Sequence, residues 1–206
     1  MTARLILARH GNTFTPQDNP IWVGARSDLP LVDKGLAQSQ AIADALIKAH
    51  ILPTSIITGP LQRTRQMANI IAQKLNIAST AICIEPRLAE IDYGAWEGKS
   101  SSEIEAMGGG AELAAWNKSS IFPTIPGWSP GEAQIIADTQ AILAETANNA
   151  LIITSNGILR FFARATLNAA AFPDRKVATG HLCIMEKQTD GWHILQWNTP
   201  PEKLQH

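Results

Sequence analysis

Three features of the sequence predict an α/β fold: a three-layer α/β/α sandwich on a mostly parallel sheet, with an antiparallel edge strand and a small lid insertion. First, two short apolar runs, Leu5–Ala8 and Ala150–Thr154, end abruptly in Arg9-His10-Gly11 and Ser155-Asn156-Gly157. Strands covered on both faces are apolar at nearly every residue, and parallel strands aim their C-terminal ends at the ligand crevice of an open sheet. Second, segments with helical spacing of apolar residues separate these runs, the alternation that builds βαβ units. Third, the chain closes on the strand-like runs 182–187 and 192–197, joined by a turn at Asp190-Gly191 and read as an antiparallel hairpin at one sheet edge. The 206 residues are enough to bury a sizeable core and are read as a single domain, 1–206.

In chain order, residues 13–30 form a long proline-rich loop with Trp22 and Val23 as apolar anchors and Arg26 and Asp28 as its charged members. A helix follows over 33–50, capped by Asp33, with Leu36, Ala37, Gln40, Ala41, Ala45, Leu46 and Ala49 near one face. Ser55–Thr58 is a short strand, and Gly59-Pro60 leads into a helix over 61–75. Arg63 and Arg65, two residues apart in its first turn, cannot share a helix face, so one points at a ligand and the other elsewhere. The free N–H groups of that turn also suit an anion. A third strand over 81–85 holds Cys83, and LAEIDYGAWEG follows with Glu90, Asp92 and Glu97. A helix over 100–107, capped by Ser101 or Ser102, is broken by Gly108, Gly109 and Gly110, and Pro123, Pro126 and Gly127 make the next stretch irregular. Residues 88–130 are too short to bury a core of their own and read as a lid over the site. A helix over 132–148, the strand 150–154, a helix over 158–166 and the hairpin complete the chain, with a frayed tail from Thr199.

Composition narrows the function classes. A net charge of -1 gives no electrostatic case for nucleic acid or an anionic membrane as partner. No run of apolar residues is long enough to span a bilayer, and the first apolar run, cut by Arg9 and His10, is too short for a signal peptide. Cys83 and Cys183 sit in apolar strand-like runs and read as buried thiols in a reducing cytoplasm. The sequence has no CxxC, HExxH or carboxylate cluster, so no metal and no cofactor is expected.

Three strands thus end in residues suited to chemistry: Arg9-His10-Gly11, Gly59 with Arg63 beyond it, and Ser155-Asn156-Gly157. Two arginine forks and an imidazole along one sheet edge suit a dianionic phosphate. Together ARHGNT, GPLQRTRQMA and LAEIDYGAWEG resemble the histidine phosphatase superfamily, the phosphoglycerate mutase-like proteins, in order and spacing over most of the chain. The resemblance implies that His10 is the nucleophile and is transiently phosphorylated. It implies that Arg9 and Arg63 clamp the phosphoryl oxygens, that Glu90 protonates the leaving alcohol, and that no metal is needed. Asp92 and Glu97 are the alternative acids.

The sequence departs from the family pattern twice. Asn156 stands where the family usually carries a second histidine; its amide still donates a hydrogen bond but brings no charge. Pro16 stands about where members often carry an asparagine, and proline offers no donor. The backbone N–H groups at Gly157 and the helix start, then Arg26, then His181, are the candidates to make up the contacts. Thr13 and Trp22 are further candidates for substrate binding. Trp22, Trp96, Trp116, Phe122 and Trp128 either line a pocket or pack the lid onto the core. The leading function is hydrolysis of a small phosphomonoester through phospho-His10. The alternatives are a phosphoglycerate mutase and, motivated by Asn156 and Pro16, a pseudo-phosphatase that binds phosphorylated ligands without turnover.

Overall fold

In the computed structural model, which describes residues 3–124, 127–146 and 149–205, β1 (Ala3–Arg9) buries Leu5, Ile6, Leu7 and Ala8 completely. It lies inside a six-stranded sheet with β2 (Ser55–Thr58), β3 (Ile82–Ile84), β4 (Ala150–Thr154), β5 (Leu182–Lys187) and β6 (Trp192–Thr199), ordered β3-β2-β4-β1-β5-β6. Strands β1 to β4 are mutually parallel where they pair; β5 runs antiparallel to β1 and forms the edge hairpin with β6. Arg9 is in register with Thr154, so the polar ends of the two most apolar strands meet at one edge of the sheet.

Alternate side chains of these strands feed two cores. Ile6, Ala8, Leu151 and Ile153 pack under α1 (Asp33–Lys48) and α2 (Gln62–Leu75). Leu5, Leu7, Ala150 and Ile152 pack on the other face under α5 (Glu132–Glu145), α6 (Asn156–Arg164) and the lid. This is the three-layer arrangement. Within the lid, Trp96, Trp116 and Trp128 are buried and meet edge to face, with ring centroids 5.2 and 5.3 Å apart. Edge-to-face pairs are worth about 0.5–1.5 kcal/mol each beyond burial, which lets this short segment dock onto the sheet's helices.

Several local expectations change. The buried stripe of α1 is Gly35, Ser39, Ile42 and Leu46, while Ala37, Gln40 and Ala41 face outward. The small residues face in because a Cβ on Gly35 would strike the Asn12 carbonyl. Asp33 does not cap α1: Val32 holds the cap position, without a side-chain bond. The glycines at 108–110 do break the helix: Ser101–Ile104 (α3) and the turn after it are separated by a kink at Gly108, non-helical at φ +88°, from a new helix, Gly110–Ser119 (α4). Ser100, rather than Ser101 or Ser102, caps α3 in a reciprocal box with Glu103. Cys83 is exposed, since β3 is a three-residue edge strand; Cys183 is buried. The tail is not frayed: a turn at Pro201–Lys203 precedes Leu204, which packs against the α1 core. Residues 147 and 148 of the helix expected over 132–148 lie outside the described residues, as does Pro126.

Candidate active site

The end of β1 holds His10 tightly. Its N–H donates to the Thr154 carbonyl (3.1 Å), and its carbonyl accepts from the Gly180 N–H (3.2 Å). The following loop passes so close to α1 that a Cβ on Gly11 would lie 2.5 Å from the Gly35 oxygen; only glycine fits there. The imidazole Nδ1 lies 2.8 Å from the Gly11 carbonyl oxygen. A carbonyl can only accept, so Nδ1 carries the hydrogen and Nε2 keeps its lone pair. The residue is 6% exposed. Burial first, then the charges of Arg63 and Arg9, hold the His10 pKa well below the ordinary 6.5. The ring is therefore neutral at neutral pH, with a free lone pair on Nε2.

Two arginines flank it. Arg9 Nη1 donates to the Val177 carbonyl (2.6 Å). Arg63, 1% exposed, donates from Nη1 to the Ser27 carbonyl (2.7 Å) and from Nη2 to the Gly24 carbonyl (3.1 Å). Both guanidiniums are thus aimed by backbone carbonyls. Burial lowers both pKa values from the ordinary guanidinium range, yet a guanidinium stays charged in a protein. Arg65, two residues on, is exposed, so Arg63 is the member of the pair that turns inward. In the first turn of α2 the Gln62 N–H is taken by Asp28, whose Oδ1 accepts it (2.6 Å).

Glu90 is 5% exposed. Its Oε1 accepts from the Ile91 N–H (3.0 Å) and its Oε2 from the Gly157 N–H (3.1 Å). Residue 157 must be glycine, because any Cβ would collide with the Glu90 carboxyl and the Tyr93 hydroxyl. Burial, then the charge of Glu90, pushes the Tyr93 phenol well above its usual 10.0, so Tyr93 remains a neutral donor beside that carboxyl. Asp92 is engaged by Arg26 Nε (3.0 Å) and the Gly94 N–H (2.8 Å), and Glu97 Oε2 accepts from the Tyr93 N–H (3.4 Å). Of the three carboxyls considered as the acid, Glu90 alone faces the cavity.

That cavity, about 410 Å³, is lined by Arg9, His10, Arg63, Glu90 and Asn156 at its polar end. Thr13 and Trp22 also line it, as do Trp116 and Lys176. The Asn156 Oδ1 accepts from the Val177 N–H (2.8 Å). This fixes which way the amide faces and leaves its NH₂ as the donor for a ligand. Among the described residues, no three His, Cys, Asp or Glu side chains gather as a metal site, and no helix is long and apolar enough to cross a membrane.

A model of the histidine phosphatase superfamily (branch 1) matches residues 5–200. The chain belongs to this superfamily. A probable phosphoglycerate mutase of Proteus mirabilis is 31% identical over 209 residues, covering 94% of this chain and 89% of that protein. A 2,3-bisphosphoglycerate-dependent phosphoglycerate mutase of Bifidobacterium longum is 30% identical over 125 residues, 60% of this chain and 49% of that protein. The chain spans about half the length of the first curated relatives it matches. Among solved structures, a mycobacterial glucosyl-3-phosphoglycerate phosphatase superposes with TM-score 0.78 at 21% identity, over 97% of this chain and 100% of that one. An α-ribazole phosphatase of Shigella flexneri superposes with TM-score 0.71 at 22% identity, over 96% of each chain. The two structures share its fold.

In this member of the superfamily, three residues expected to supply phosphate contacts are committed elsewhere. Arg26 donates to the Gly94 carbonyl (2.5 Å) and pairs with Asp92, with its side chain 58% exposed. His181 turns its Nδ1 to the Asn198 carbonyl (3.0 Å) and does not line the cavity. The Gly157 N–H holds Glu90. Pro16 lies in an exposed turn, and Asn12, four residues earlier, lines the cavity instead, its Oδ1 accepting from the Thr179 hydroxyl. Sequence reading missed Asn12, Tyr93, Lys176, Thr179 and the buried Arg160. Asn12 and Tyr93 stand inside the motifs and could have been read there. Arg160 lies four residues after Asn156, one helical turn along α6; it donates to Ser120 Oγ (2.9 Å) and stacks on Trp116, 4.6 Å from the ring centroid. It thereby ties α6 to a wall of the cavity. Nothing in the sequence marks Lys176 or Thr179.

Two predictions follow from these contacts. Arg26→Ala should change kcat/KM less than about twofold and cost under about 1 kcal/mol, as exposed ion pairs do; steady-state kinetics and denaturant unfolding check it. His10 should remain neutral in an NMR titration well below pH 6.5. Below 6.5 the unfolded chain takes up a proton at this position that the folded chain refuses. His10 therefore lowers stability as pH falls from 6.5 towards its folded pKa, and His10→Ala should lose that part of the acid sensitivity.

Proposed function

We propose that this chain hydrolyses a small phosphomonoester through a phosphohistidine at His10. The observation that carries the reading is the His10 ring, locked at Nδ1 on the Gly11 carbonyl, in a cavity that Arg9, Arg63 and Glu90 also line. Nε2 attacks phosphorus in line as the bond to the leaving oxygen breaks, and Glu90 gives that oxygen a proton. The arginines and the Asn156 amide stabilise the charge that spreads over the phosphoryl oxygens. Glu90, now a carboxylate, takes a proton from water as the water attacks phosphorus and the P–N bond breaks. Inorganic phosphate leaves and neutral His10 is restored.

Phosphate release from a generic aryl phosphate tests the proposal. No release from any small ester, with wild type and His10→Ala alike, overturns it. The similarity to a probable phosphoglycerate mutase over 94% of the chain favours a second reading, in which the phosphoryl group passes to another substrate hydroxyl. Against it, residues 90–130 contain only Lys99 and Lys118 as basic residues, and neither lines the cavity. A coupled mutase assay with and without bisphosphoglycerate separates the two.

A further inference from the structure

We propose that Lys176 is a third cation of this pocket, carried on a strap of residues 174–180 and acting on the phosphoryl group held by Arg9 and Arg63. The inference rests on the phosphate reading of the cavity. The strap is pinned to the phosphate-binding residues themselves. Val177 accepts from Arg9 Nη1 through its carbonyl (2.6 Å) and donates to Asn156 Oδ1 through its N–H (2.8 Å). The Thr179 carbonyl accepts from Gln38 Nε2 (2.9 Å), and its hydroxyl bonds Asn12. Gly180 donates to the Arg9 and His10 carbonyls (3.2 Å each). On the other side of Lys176, its own N–H is held by Asp174 Oδ1 (3.0 Å). The backbone is therefore held to the pocket on the C-terminal side of Lys176 and shaped by a local turn at Asp174 on the other. Its four-carbon stem is exposed, lines the cavity, and makes no ion pair among the described residues.

Charge balance says what the ammonium does there. When a free phosphate dianion sits beside the Glu90 carboxylate and His10 is unphosphorylated, the pocket holds three negative charges. Arg9 and Arg63 supply two positive charges, His10 is held neutral, and Asn156 adds none. Lys176 is the remaining cation lining the cavity, and it offers three rotatable donors on a flexible stem.

Equilibrium binding of inorganic phosphate, by calorimetry, tests this without relying on turnover. Lys176→Met should raise the phosphate Kd about tenfold and flatten its dependence on salt, the loss of one partly solvated charged contact. Lys176→Arg should stay within about threefold of wild type, since it keeps the charge. Lys176 is exposed, so neither variant threatens folding. Unchanged phosphate affinity and salt dependence in Lys176→Met overturns the inference. So does a loss confined to esters that carry a carboxylate on their alcohol half, which would place Lys176 on the leaving group. Wild type that binds phosphate through Lys176 but hydrolyses no ester would sink the hydrolase reading and leave this inference standing. An active enzyme indifferent to Lys176→Met would do the reverse.

Discussion

His10→Ala should lower kcat/KM by about 10⁴-fold or more, the scale on which enzymes lose activity when a covalent nucleophile is removed. The imidazole lines the cavity with a free lone pair on Nε2, and its tautomer is set by the Gly11 carbonyl. Arg9 and Arg63 do not depend on it for their positions, since each is held by backbone carbonyls. The variant should therefore still bind inorganic phosphate while failing to form an acid-labile phosphoenzyme. Rapid-quench labelling and phosphate calorimetry on the same preparation read both properties. A variant that retains more than about one-hundredth of wild-type kcat/KM would assign the nucleophile elsewhere.

Glu90→Gln separates proton transfer from binding. For alkyl phosphates, whose leaving oxygen needs a proton, kcat/KM should fall about 10²- to 10⁴-fold, the span of general acid catalysis. For p-nitrophenyl phosphate, whose leaving group departs as a stable anion, the loss should be far smaller. Because kcat/KM covers the steps up to the phosphoenzyme, the contrast isolates the acid role. The later loss of the base should appear separately, as phosphoenzyme accumulating under single-turnover conditions. Glutamine keeps the shape and one acceptor, so the Gly157 or the Ile91 N–H retains a partner. An equal loss on both ester classes would assign Glu90 to positioning alone.

The legible parts of this protein are those that short-range patterning controls. The apolar runs that became β1 and β4 needed burial on both faces, and residues of that kind cannot sit elsewhere without exposing apolar surface. The helical spacing of α2 and α5 and the Asp190-Gly191 turn were readable for the same local reason. Ser55–Thr58, 150–154 and 182–187 have in the structure the bounds that the pattern suggests. What patterning mishandled were small residues. Gly35 and Ser39 look like poor core residues, yet they form the buried stripe of α1 because the His10 loop needs close backbone approach.

Within the pocket the division falls along the same line. His10, Arg63 and Glu90 could be picked out because each stands at a fixed offset from a strand end or inside a motif. Their neighbours could not be assigned, because hydrogen-bond partners far apart in the chain compete for every donor. Arg26 satisfied itself on Asp92 and Gly94, 66 and 68 residues away, and the Gly157 N–H went to Glu90, 67 residues away. The sequence by itself determined the fold class and the family, since these follow from local patterning and motifs, and the family resemblance singled out His10, Arg9, Arg63 and Glu90 for the roles proposed above. Only the tertiary structure decided that Asn156 presents its NH₂, that Arg26 and His181 stay out, and that the strap with Lys176 comes in. Those outcomes depend on which of many polar groups are brought within hydrogen-bonding distance, and that is a property of the packed chain.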